Sequence, residues 1–155
     1  WRGLLGIESK VGAGTTVEIK LPAVNPPAWF KASISIKDIK TIVILDDDSS
    51  IHSIWAQRMA AIAGNGRSFE VQHFYDGDSL RRWIKGRLGS ALYLADYELI
   101  GQKDSGLDLI EELGISASSI LVTSHFHESH VRARCERLGV SLIPKELAPY
   151  IPIQG

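Results

Sequence analysis

The chain has 155 residues, enough for one well-buried core and some appended sequence. Its 17 basic side chains against 18 acidic ones leave a formal net charge of -1, which gives no field to draw in a nucleic-acid backbone or an anionic membrane surface. The single cysteine, Cys135, excludes an internal disulfide and fits a reducing, cytoplasmic setting. No apolar run approaches the roughly 20 residues that span a bilayer, and no basic start leads into an apolar signal segment. The fragment is expected to be soluble, without direct membrane contact, although a longer parent can be membrane-anchored.

Residues 1–22 read as two short strands, Gly3 to Glu8 and Thr15 to Leu21, joined by a glycine-rich turn from Ser9 to Gly14. A lone hairpin is marginal in water, so it reads as the edge of another domain. The run Gly-Ile-Glu-Ser-Lys-Val-Gly-Ala-Gly-Thr-Thr-Val-Glu-Ile-Lys-Leu-Pro, residues 6–22, resembles the closing hairpin of the ATP-binding domain of sensor histidine kinases. That resemblance implies a nucleotide lid and asparagine box upstream of Trp1, and no ATP binding by this chain. In residues 23–39, Pro26-Pro27 excludes helix and marks a linker, with Trp29 and Phe30 expected to pack on a neighbouring surface. The Ile34/Ile36 alternation allows a short edge strand there.

From Lys40 to Gly155, strand-like and helix-like runs alternate. Thr41 to Leu45 is apolar without polar alternation, as in a strand buried on both faces. Ile51, Ile54, Trp55, Met59 and Ile62 then recur at helical spacing up to Gly64-Asn65-Gly66. Phe69 to Phe74 is a second strand. Leu80, Trp83, Ile84 and Leu88 stripe a second helix begun by Asp76 or Asp78. Its Arg81, Arg82, Lys85 and Arg87 read as a solvated face. Ala91 to Ala95 is a third strand, Leu107 to Leu113 a third helix and Ser119 to Thr123 a fourth strand. Val131, Cys135 and Leu138 line a fourth helix, and Val140 to Ile143 is a fifth strand. Helical crossovers between successive strands imply an α/β, doubly wound, five-stranded parallel sheet. Pro149 and Pro152 leave room only for a short or irregular last helix.

Polar groups fall at four strand ends: Asp46 and Asp47 after the first, Asp96 after the third, Thr123 after the fourth and Lys145 past the fifth. Asp48, Ser49 or Ser50 can cap the following helix, but capping explains only one of the residues there. In the flavodoxin-like order 2-1-3-4-5, the first and third strands are neighbours at the switch point, where ligands bind. Two carboxylates about 5 Å apart repel by roughly 3 kcal/mol at an effective dielectric near 20, so three converging acids call for a cation. Oxygen ligands favour Mg²⁺.

Leu45-Asp46-Asp47, Leu94-Ala95-Asp96, Leu121-Val122-Thr123-Ser124 and Ile143-Pro144-Lys145 together resemble the receiver domain of two-component signalling over about Lys40 to Pro152. With the N-terminal hairpin, the resemblance implies part of a hybrid sensor histidine kinase. It implies that Asp96 takes a phosphoryl group from phosphohistidine on a histidine kinase dimerisation domain or a histidine phosphotransfer protein. Asp46, Asp47, Asp96 and the backbone carbonyl of Glu98 would hold Mg²⁺, while Thr123 and Lys145 steady the transferring oxygens. The chain departs from the family's pattern in several places. The loop after Asp96 lacks Met-Pro, and Gly106 comes about two residues late. Leu142 replaces the usual switch aromatic, and Glu146 follows Lys145 where proline is usual. Glu98 and His125 stand where side chains tune dephosphorylation in that family.

Two rival readings follow from resemblance. Asp46-Asp47-Asp48-Ser49 is similar to the nucleophile motif of haloacid-dehalogenase-type phosphatases, but this gives Asp96 no role, and only Glu128, Glu136 and Glu146 remain as later acids. A receiver fold used purely for docking is the other. The three histidines in His125-Phe126-His127-Glu128-Ser129-His130 raise a zinc site, although at a helix start they more often lie exposed or packed.

Overall fold

A computed structural model of the chain describes residues 2–64, 66–86 and 90–155. Strands β1 (Leu4–Lys10) and β2 (Gly14–Lys20) form an antiparallel hairpin with Leu5 opposite Ile19 and Ile7 opposite Val17. These four side chains share one face, and all are exposed. After β3 (Ile34–Ser35) come β4 (Thr41–Leu45), α1 (Ser49–Ala63), β5 (Glu70–Phe74), α2 (Gly77–Ile84), β6 (Ala91–Ala95) and α3 (Gly106–Glu112). The chain continues through β7 (Ser119–Thr123), α4 (Ser129–Leu138) and β8 (Ser141–Pro144) to β9 (Ile153–Gln154). Among the described residues no helix is long and apolar enough to cross a membrane.

The central sheet is parallel and five-stranded, ordered β5-β4-β6-β7-β8, which is the 2-1-3-4-5 arrangement expected from the sequence. Alternate residues of β4 serve opposite cores, the period-2 consequence of burying a strand on both faces. Val43 and Leu45 meet Leu80, Leu107, Ile110 and Val131 from α2, α3 and α4. Ile42 and Ile44 meet Ile51, Trp55 and Met59 from α1. Asp48 caps α1 and Asp76 caps α2, each carboxylate accepting a first-turn N–H. The second helix closes at Ile84, while Leu88, Arg87 and Asn65 lie outside the described residues.

A regular fifth helix would lie beside α1 on the second face. With Pro149 and Pro152 in place, residues 145–147 instead make one 3-10 turn. The stretch read as a linker supplies the missing cover: Ile34 is fully buried and Ile36 nearly so, beside Ala148 and Ile151. β3 pairs in parallel with β9, and the Ile34 N–H donates to Pro152 O at 2.8 Å. Arg58 of α1 donates to the carbonyls of Ala148 and Ile151, tying down the helix-free terminus. One turn earlier in the chain, the Leu142 N–H donates to Trp29 O and the Lys31 N–H to Leu142 O, both at 2.9 Å. Residues 29–31 thus flank β8 as a partial extra strand, and the Trp29 ring lies 6.4 Å from that of Phe126. Ile34→Ala is expected to lower unfolding free energy by about 3 kcal/mol in urea titration, as for a core isoleucine; a change near zero would mean the segment is only tethered.

Candidate functional site

Parallel pairing brings the acids together. Leu45 is registered with Ala95, so the residues that follow them, Asp46 and Asp96, leave adjacent strand ends side by side. Their backbones are held there: the Asp96 N–H donates to Leu45 O at 2.8 Å and the Asp46 N–H to Phe74 O at 3.1 Å. Carboxylate oxygens of Asp46, Asp47 and Asp96 all fall within 4.8 Å of one another. Lys145, just past β8, places Nζ 2.6 Å from Asp96 Oδ2 and 2.9 Å from Asp46 Oδ2. Asp46 and Asp96 are 2% and 5% exposed, so this charge is concentrated away from water.

Burial pushes the Asp46 carboxyl above its ordinary pKa, against the opposing pull of Lys145 and of the Asp48 N–H at 2.9 Å. Burial also works to lower Lys145, but its bonds to Asp96 and Asp46 outweigh that and hold the ammonium above its usual value. Three carboxylates against one ammonium leave a surplus of negative charge with only oxygen donors facing it, a donor set suited to a hard divalent cation. The Asp96 carboxylate is itself fixed at both oxygens, with Oδ1 accepting the Tyr97 N–H at 2.6 Å. Gly106 backs it: a Cβ there would meet Asp96 O at 1.7 Å, which is why the loop must return through glycine. Asp48 turns to the start of α1, its Oδ1 accepting the Ser50 N–H, so the Asp46/Asp48 pair of the phosphatase reading is not the pair that converges.

Thr123 ends β7 fully buried, its Oγ1 accepting the His125 N–H at 3.1 Å, which leaves the hydroxyl proton free to donate. Glu98 lies outside the acid cluster: its carboxylate is 3.0 Å from His125 Nε2, and Glu128 takes His125 Nδ1 at 2.6 Å. Those two acids, Glu128 first, raise the His125 pKa. Glu128 Oε2 also lies 3.4 Å from His130 Nε2, so these histidines face a carboxylate and do not converge on one point as zinc ligands would. Among the described residues, Asp46, Asp47 and Asp96 form the one acidic or histidine group arranged to hold a metal. The long loop after Asp96 is anchored from its far side, where Gln102 accepts the Gly77 N–H at 2.8 Å. Arg81 joins Asp78, Asp104 and Glu112, so one member of the basic group read as a solvated face is instead a tether.

Sequence reasoning passed over His52 and His73. His52 is 4% exposed; its Nε2 lies 2.7 Å from Asp46 O and its Nδ1 2.7 Å from His73 Nδ1. The Tyr75 ring stands 4.1 Å away. Lone histidines on a helix and a strand carry no spacing signal, and their meeting depends on α1 packing over β5.

No protein-family model matches the chain, and no curated protein matches it. Solved structures do: the fold is that of response-regulator receiver domains. It is similar to the non-phosphorylated receiver domain of the stress response regulator RcsB from Escherichia coli, with a TM-score of 0.57 and 17% identity over 72% of this chain and 86% of that one. It is also similar to the receiver domain of the histidine kinase CKI1 from Arabidopsis thaliana, solved with Mg²⁺ and BeF₃⁻, with a TM-score of 0.53 and 14% identity over 72% of this chain and 85% of that one. The RcsB response regulator of Salmonella typhimurium, described for its DNA interaction, gives a TM-score of 0.51 and 19% identity over 73% of this chain. The chain spans only 55% of that regulator's length.

Burial, and then the neighbouring His52, holds His73 below its ordinary value of 6.5. The unfolded chain takes up that proton more readily, so stability is full above pH 6.5 and is lost as pH falls towards the depressed value. His125, raised by its two acids, works in the opposite sense over that range, so the contribution is read by difference: between about pH 7.5 and about pH 5.5 the urea midpoint of His73→Gln should fall less, or rise more, than that of wild type.

Proposed function

We propose that this chain is the phosphoacceptor receiver of a two-component system, taking a phosphoryl group from phosphohistidine onto Asp96. The observation that supports it most is the placing of Lys145 between Asp96 and Asp46, with Asp47 completing a compact acid cluster at the switch point of a receiver fold. The donor set fits Mg²⁺, which Asp46, Asp47 and Asp96 would hold, with the Glu98 backbone carbonyl as a further ligand; once bound it offsets phosphoryl charge. The donor is a histidine kinase dimerisation domain or a histidine phosphotransfer protein, and the hairpin of residues 1–22 belongs with the kinase core of a hybrid sensor.

In the reaction a carboxylate oxygen of Asp96 attacks phosphorus in line, the P–N bond to imidazole breaks and an acyl phosphate forms. Lys145 then passes from the carboxylate oxygen to a phosphoryl oxygen, and the Thr123 hydroxyl donates to another. Drawing Thr123 towards the phosphoryl group costs its bond to His125 and loosens the turn of residues 124–127. Phe126 in that turn lies against Trp29, so the segment before the domain registers the change.

Mg²⁺ with beryllofluoride should form a stable adduct on the wild-type chain and none on Asp96→Asn; a wild-type chain that forms none would leave the receiver fold a docking module. Lys145→Met should slow phosphorylation from a phosphohistidine donor on the order of 100-fold. The His125 ring, bridged between Glu98 and Glu128 beside the site, screens the acyl phosphate from water. Glu98→Ala with His125→Ala should shorten its half-life on the order of tenfold, measured by loss of label from Asp96; unchanged decay would end that idea.

A further inference from the structure

Asp46 and Asp47 share one peptide unit, whose carbonyl is Asp46 O and whose N–H belongs to Asp47. Because that unit is planar, whatever holds the carbonyl also fixes the Asp47 N–H and Cα, the point from which its side chain leaves the backbone. A carbonyl only accepts, so His52 Nε2 must carry a proton and donate to it across the 2.7 Å contact. With the ring neutral its Nδ1 is bare, and His73 Nδ1 is then the donor across the second 2.7 Å contact. The ring of Tyr75 stands against His52, and burial of His52 keeps water from competing for its bond to Asp46 O.

This grip matters most for Asp47. The carboxylate of Asp46 is fixed independently, by Lys145 and the Asp48 N–H, and that of Asp96 by Lys145 and the Tyr97 N–H. Asp47, in contrast, makes no side-chain hydrogen bond or ion pair among the described residues, so its place in the cluster depends on the two peptides that flank it, one held by His52 and the other through the Asp48 N–H.

We infer that His52, oriented by His73, is a positioning residue that holds the Asp46–Asp47 peptide so that Asp47 faces the other two carboxylates. The inference rests on the cation reading above and deepens it. Removing the donor while keeping the ring's bulk releases the peptide without leaving a cavity. Groups behind metal ligands typically change affinity by about 10- to 100-fold when lost.

The test is an Mg²⁺ titration of the whole chain followed by calorimetry, with urea unfolding in the absence of the cation as a separate measure of fold. His52→Phe should bind Mg²⁺ about tenfold more weakly, while His52→Gln, which retains an N–H donor, should recover binding to within about threefold of wild type. Folded His52→Phe that binds as wild type does, or Gln and Phe variants that are equally impaired, would overturn the inference. If wild type itself bound no Mg²⁺, the cation reading would fall, and this inference with it. Should His52→Phe not fold, the wild-type ¹⁵N spectrum still decides: Nε2 of His52 is expected protonated and Nδ1 bare, and the opposite tautomer would overturn the assignment.

Discussion

The rest of the site depends on the crowding of like charge at one sheet edge. Three aspartates meet there because β4 and β6 are hydrogen-bonded neighbours ending in step, and like charges so close and so dry are tolerable only with something positive among them. Lys145 is the part of that compensation the chain carries itself, and it reaches the acids from the far side of the strand order. Because one ammonium balances only part of the charge, the cluster keeps a surplus of negative charge faced by oxygen donors, a setting that suits a hard cation.

Much of this could be read from residue order. An apolar run without alternation marked the first central strand, and acids or donors at strand ends singled out Asp46, Asp47, Asp96, Thr123 and Lys145, of which the structure gathers Asp46, Asp47, Asp96 and Lys145. The parallel topology then made the convergence nearly unavoidable, since ends of neighbouring parallel strands share an edge. Departures in the loop after Asp96 were also visible, but not their remedy. Gln102 and Arg81 fasten that loop to the β5–α2 side, through partners far away in sequence that no local pattern announces.

What stayed hidden was of that same long-range kind. His52 and His73 lie 2.7 Å apart only because α1 lies across β5, and neither belongs to a motif. Residues 28–39 were legible in part: the Ile34/Ile36 alternation marked a short edge strand and Trp29 and Phe30 pack as expected, but which surface the stretch covers was not visible. Two prolines argue correctly against helix, yet the same stretch fills a vacancy created by two other prolines near the opposite end. The loss of a last helix and the docking of an upstream segment are two sides of one packing solution: apolar surface on the α1 face must be covered, and Ile34 and Ile36 cover it.

The grip of residues 29–31 on Leu142 has a mechanical side. Trp29 and Lys31 hold the peptide groups of Leu142, and Leu142 stands on the strand that ends beside Lys145. The polypeptide that follows Ala28 and the backbone that carries the ammonium are thus joined through a single edge strand, only three residues from Leu142 to Lys145.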